Sequence, residues 1–130
     1  MTLELKLFQN GDAKQGASVA LHANLFVSTV GWELYERLKS VATGRFDGYV
    51  AVAYEDELPV AVVLVRIGWT RTKDIAAYCV SHKRRQGITT KLIDKLKEAE
   101  VELPVARTGA EGSHEFWHKN SVPCVVPEYA

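Results

Sequence analysis

Cysteine is scarce: Cys79 and Cys124 are the only two in a chain of 130 residues. Two thiols make no disulfide framework, and neither lies in a spacing that a zinc site uses. A surplus of charge is also missing, because sixteen Lys and Arg balance sixteen Asp and Glu to give zero net charge. A dedicated nucleic-acid binder draws most of its affinity from phosphate neutralisation and normally carries a basic excess, so that class is disfavoured. The basic group Lys83-Arg84-Arg85 keeps a polyanion-binding α/β module as a distant reading. Long apolar runs are absent too. The longest, residues 60–65, has strand length and falls far short of the roughly 20 residues a membrane helix needs. The opening stretch, MTLELKLFQNGDAK, has no basic segment followed by an apolar one, so no signal peptide is expected. These absences point to a soluble, cytoplasmic protein.

What is present fits one domain over residues 1–130. Apolar residues make up 47% and charged residues 25%, close to globular averages. A chain of this length buries roughly two-thirds of its unfolded surface, enough for a core. Leu3, Leu5 and Leu7 alternate with Glu4 and Lys6, the period of a half-buried strand. Residues 9–16 read as a turn and 17–30 as an apolar helix without a clean period. Trp32, Tyr35, Leu38 and Val41 then recur at helical spacing, with Gly44 as the stop. Residues 49–54 and 60–67, rich in Val and aromatics, flank Glu55-Asp56-Glu57 and Pro59 and predict a hairpin. A turn over 68–73 leads to a third strand at 74–80. Next comes the clearest helix, with Ile88, Leu92, Leu96 and Ala99 on its apolar stripe and Lys91, Lys95, Lys97 and Glu98 toward solvent. Strands at 101–106 and 122–126 enclose a short helix at 112–120. The expected class is mixed α/β (α+β), and residues 74–106 form a strand–helix–strand unit expected to be right-handed and parallel.

Chemistry concentrates at the junction AAYCVSHKRRQGITTKLIDKL, where a buried strand runs through a basic loop into a helix opened by glycine. The first N–H groups of a helix have no internal partners and carry partial positive charge, so an anion docks there. Gly87 lets a phosphate approach the backbone, Arg84 and Arg85 add guanidinium contacts, and Thr89 and Thr90 offer hydroxyls. The same loop type also occurs without a ligand in many α/β proteins. It is neither a P-loop nor a dinucleotide fingerprint, since GxxxxGK[ST] and GxGxxG are both missing.

The run Arg84-Arg85-Gln86-Gly87-Ile88-Thr89, followed by TKLIDKLKEA, resembles the signature of the GNAT acetyltransferases, Arg/Gln-x-x-Gly-x-Gly/Ala opening a long helix. The element order is similar as well, and SHEFWHKNSV resembles the family's C-terminal segment. The likeness spans residues 46–126, with residues 84–92 as its specific part. It implies a GNAT-like fold whose mostly antiparallel sheet splays after the coenzyme-binding strand. It implies acetyl-coenzyme A as cosubstrate and an amine of a small molecule or protein as acceptor. By the same resemblance, Ala77, Tyr78 and Cys79 pair with the pantetheine arm, and Arg84, Arg85, Gln86, Gly87, Ile88, Thr89 and Thr90 hold the pyrophosphate.

Three positions depart from the family pattern. Thr89 puts a β-branched side chain where the motif has Gly or Ala. Trp117 stands where many members carry a tyrosine that protonates the leaving thiolate, and an indole N–H is only a neutral donor. Leu103, Pro104 and Val105 supply no carboxylate on the strand after the helix. These departures motivate a rival reading, a non-catalytic module that binds coenzyme A or a protein partner. His118 is the candidate proton carrier, set against the plainer reading of a surface histidine. His82 sits among cations in the basic loop. Ser113, His114 and Glu115 are adjacent in sequence, which does not make a triad. Cys79 and Cys124 read as small buried hydrophobes. The acidic turn at 55–57 either attracts a cationic acceptor or is simply solvated, and Trp69 either walls the acceptor pocket or packs on the sheet edge. The sequence leaves room for a homodimer.

Overall fold

A computed structural model describes residues 3–9, 11–22, 32–67, 73–79, 87–104, 106–107, 113–122 and 124–125. Its elements are β1 (Leu3–Phe8), α1 (Ala13–His22), α2 (Trp32–Ala42), β2 (Asp47–Glu55), β3 (Leu58–Ile67), β4 (Lys73–Cys79), α3 (Ile88–Glu98), β5 (Ala106–Arg107), α4 (Ser113–Lys119) and β6 (Cys124–Val125). The order is the one the sequence predicts. Among the described residues, no helix is long and apolar enough to cross a membrane.

Strands β1 to β4 form one antiparallel sheet in chain order. Alternate residues of β2 and β3 feed two separate cores. Ala51, Ala53, Val63 and Val65 face α3 and α4, together with Ile88, Leu92, Ile93, Leu96 and Trp117. Val50, Val52, Val62 and Leu64 face α1 and α2, meeting Ala13, Ala17, Ala20, Leu38 and Val41. Burial on both faces explains why residues 60–65 read as an unbroken apolar run. A bulge at Val60 separates two registers, Ala53↔Ala61 and Tyr54↔Pro59, and puts Val60 and Ala61 in the same core. The Asp56-Glu57 turn has φ of 51° and 71°, the double left-handed geometry of a tight hairpin.

Strands β2, β3 and β4 lie within two residues of their expected bounds, and three larger departures bear on the core. Helix α1 begins at Ala13, inside the span expected to be a turn, because Ala13, Ala17 and Ala20 make a buried stripe of small residues. Ala99 is exposed at the end of α3, and Ile93 takes its place in the core. The strand expected over 101–106 shrinks to Ala106–Arg107. Val101 is used instead to close α3: its N–H reaches the Leu96 carbonyl at 3.0 Å, while Glu100, at φ 61°, donates to the Lys97 carbonyl at 3.0 Å. Pro104 then lacks a ladder donor.

The face under α2 carries a polar cluster. Arg66 and Asp74 are cross-strand partners. Arg66 donates Nη2 at 2.6 Å and Nε at 3.2 Å to Asp74 Oδ2, and Nη1 at 3.3 Å to Ser40 Oγ. The guanidinium also lies 5.1 Å from the centre of the Phe46 ring. Gly48, the strand partner of Arg66, is buried, and a Cβ there would stand 2.5 Å from the Val65 carbonyl oxygen. That oxygen is backbone and cannot turn aside. Gly48→Ala is therefore expected to cost about 2–3 kcal/mol and lower Tm by roughly 10 °C. An unchanged Tm in calorimetry would mean that the two strands are further apart.

Candidate functional site

The site begins at the outer edge of the sheet. Ala77, Tyr78 and Cys79 pair with Val63, Val62 and Ala61 of β3. As β4 is the last strand of the sheet, its other edge faces away from β3, and no described strand pairs with it. Strand β5 lies next to β4 yet pairs in parallel with β6, through Ala106↔Cys124 and Arg107↔Val125. The expected β4–α3–β5 unit thus exists in order, but its two strands share no ladder among the described residues. A strand edge left unpaired offers extended backbone for an extended ligand to pair with. Ala77, half-buried against the core, adds only a methyl group.

Helix α3 follows. Gly87 caps its N-terminus at φ 73° and ψ 13°, with no side-chain cap. This is left-handed backbone, which glycine adopts without strain. Among the described residues, a Cβ at Gly87 would meet nothing within 4 Å, and Gly87 is exposed. Ile88 is buried while Thr89 and Thr90 are half-buried. The helix is anchored by Ile88, Leu92, Ile93 and Leu96, which fixes where its uncapped N–H groups lie relative to β4. Arg84, Arg85, Gln86, His82 and Trp69 lie outside the described residues.

Helix α4 divides the two candidates at its end. Trp117 is only 5% exposed and sits in the α3 core, edge-on to Phe116 with centroids 4.9 Å apart and planes at 71°. The position that the resemblance assigns to chemistry is thus a packing position for this side chain. His118 is exposed. The ends of α3 and α4 are tied together. Lys97 Nζ donates to the Asn120 carbonyl at 2.7 Å, and α4 closes as α3 does, with Val122 N–H on the Trp117 carbonyl at 2.8 Å.

Asp74 was not marked by the sequence. Its Oδ2 is held by Arg66, and Arg37 Nε stands 4.0 Å from the same oxygen. Oδ1 is buried without a hydrogen-bond partner among the described residues. Only the β3–β4 register brings Arg66 and Asp74 together, so no local motif signals the pair. The acidic turn Asp56-Glu57 is exposed at the hairpin tip, where Leu58 is 69% exposed.

No protein-family model and no curated protein matches the chain. Solved structures do. Glucosamine-6-phosphate N-acetyltransferase from Arabidopsis thaliana is 16% identical with a TM-score of 0.58, covering 100% of this chain and 97% of its own. A GNAT family acetyltransferase from Brucella melitensis, solved in complex with acetyl-CoA, is 15% identical with a TM-score of 0.58, over 89% and 81% of the two chains. Ribosomal-protein-alanine N-acetyltransferase from Brucella melitensis biovar Abortus 2308 is 15% identical with a TM-score of 0.55, over 99% and 96%. Together with the antiparallel β1–β4 sheet and the glycine-capped α3, these likenesses establish that the chain has the fold of the GNAT acetyltransferases.

Proposed function

We propose that the protein transfers an acetyl group from acetyl-coenzyme A to an amine of a small molecule or protein. The observation that supports this reading is Gly87, an exposed left-handed glycine that opens α3 downstream of β4, the strand whose outer edge no described strand pairs with. This reading assigns the coenzyme to the residues around that junction. The backbone of Ala77, Tyr78 and Cys79 would pair with the pantetheine arm. Gly87, Ile88, Thr89 and Thr90, with Arg84, Arg85 and Gln86 before them, would hold the pyrophosphate. When bound, the coenzyme supplies a thioester whose carbonyl an amine attacks.

The chain's own contribution is then positioning, with backbone N–H groups directed at developing negative charge. An ammonium acceptor must lose a proton before it attacks, and the sulfur must gain one as it leaves. Trp117 supplies neither service. His118, exposed beside it, is the side chain we assign to proton transfer, directly or through water. Its replacement by Gln should lower turnover and leave coenzyme affinity unchanged.

The test is calorimetric titration with acetyl-coenzyme A, where micromolar binding of roughly −8 kcal/mol is expected. Replacing Arg84 or Arg85 with Gln should weaken coenzyme binding by about 1.5–3 kcal/mol per contact, and spare a dephosphorylated pantetheine fragment. Equal losses for both ligands would leave these arginines as solvated surface. Release of free thiol with a panel of amines and candidate protein acceptors then separates catalysis from binding. The buried Trp117 favours one second reading, a coenzyme-binding module without turnover. Tight binding with no thiol release to any acceptor would select it.

A further inference from the structure

The outer edge of β1 is the opposite border of the same sheet, and no described strand pairs with it. Its sequence, LELKLF, is self-complementary in one antiparallel register. Set against a second copy about a two-fold axis through Leu5, Leu3 meets Leu7 on one face, and Glu4 meets Lys6 twice on the other. Shifting the pairing by one step that preserves the faces brings Glu4 against Glu4, or Lys6 against Lys6. Like charges directly opposite are unfavourable, so the charges select one register.

The leucine face packs on the core and is only partly covered there. Leu3, Leu5 and Leu7 are half-buried, and Leu5 and Leu7 border a groove of about 450 Å³ between β1 and the end of α3, with Lys95 and Glu98 on its other wall. Glu4 and Lys6 are exposed on the opposite face. We infer that the protein forms a two-fold homodimer by antiparallel β1–β1 pairing, joining two four-stranded sheets into one of eight strands. The interface is isologous, as a closed dimer requires. The inference does not rest on the proposed activity.

Sedimentation equilibrium of the full chain should show a reversible dimer in the micromolar range. Lys6→Glu sets Glu against Glu, and Glu4→Lys sets Lys against Lys; each should weaken dimerisation by about tenfold or more. The double variant, Glu4→Lys with Lys6→Glu, should restore it. An equimolar mixture of the two single variants should also form a heterodimer. Circular dichroism checks that each variant is folded, which these exposed positions favour. A wild-type chain that stays monomeric up to millimolar concentration overturns the proposal. So does a dimer that either single variant leaves intact, or one that the double variant fails to restore.

Discussion

Gly87→Glu should leave a folded protein that no longer binds acetyl-coenzyme A, with affinity reduced by at least about a hundredfold. The two effects of this change differ in size. A side chain at φ 73° costs about 1–2 kcal/mol of backbone strain, although no described residue lies within 4 Å to collide with its Cβ. A carboxylate at a helix N-terminus recovers about 0.3–1 kcal/mol through the helix dipole. The net loss of stability is therefore small. Binding suffers far more, because the new carboxylate stands where the pyrophosphate is proposed to sit. Gly87→Ala separates the causes, since it carries the strain without the charge. The expected order of affinity is wild type, then Ala, then Glu, read by titration with each variant's Tm measured alongside. Retention of near wild-type affinity by folded Gly87→Glu would remove the coenzyme from this end of α3.

Trp117→Ala should be the most damaging of the single changes to stability, at about 3–5 kcal/mol, because the side chain is 5% exposed in the α3 core. Trp117→Phe keeps an aromatic ring against Phe116 and should cost less. Its acetyl transfer per folded molecule should stay within about tenfold of wild type, or about 1.4 kcal/mol in barrier. Denaturant melts and free-thiol release on the same samples test the two statements together. A thousandfold loss of turnover in a stable, coenzyme-binding Trp117→Phe would return the indole to the chemistry. A Tm that Trp117→Ala leaves unchanged would contradict its place in the core.

Much of the architecture was legible because its signals are local. The 3–7 alternation, the stripe of Ile88, Leu92 and Leu96, and the paired apolar runs around residues 55–57 each predict their element, and the order of ten elements follows. The misreadings have physical causes. Alanine marks a core stripe weakly, so the start of α1 at Ala13 was hidden. Val101 looks like a strand residue until its N–H is seen closing α3 on Leu96. For the candidate site, Gly87 and the β4-to-α3 junction could be read from composition and spacing. The burial of Trp117 could not, since it depends on where α4 docks. The Arg66–Asp74 pair likewise depends on strand register, which no local window contains.

That register has an unusual source. In most antiparallel hairpins a slip by one residue is forbidden because it would turn polar side chains inward. Strand β3, LPVAVVLVRI, is apolar on both faces from Val60 to Val65, so its alternation distinguishes little between one alignment and the next. The information has moved to the ends. At one end, the two-residue Asp56-Glu57 turn and the extra residue at Val60 fix the count. At the other, Gly48 is the one place where β2 can lie against the Val65 carbonyl, and any slip would bring a residue with a Cβ into that gap. The centre of the hairpin supplies cohesion to both cores, and its two extremities supply uniqueness. Substitutions that enlarge or shrink the middle of β3 should therefore alter how strongly the sheet holds, whereas changes at the turn or at Gly48 should loosen the alignment as well as the stability.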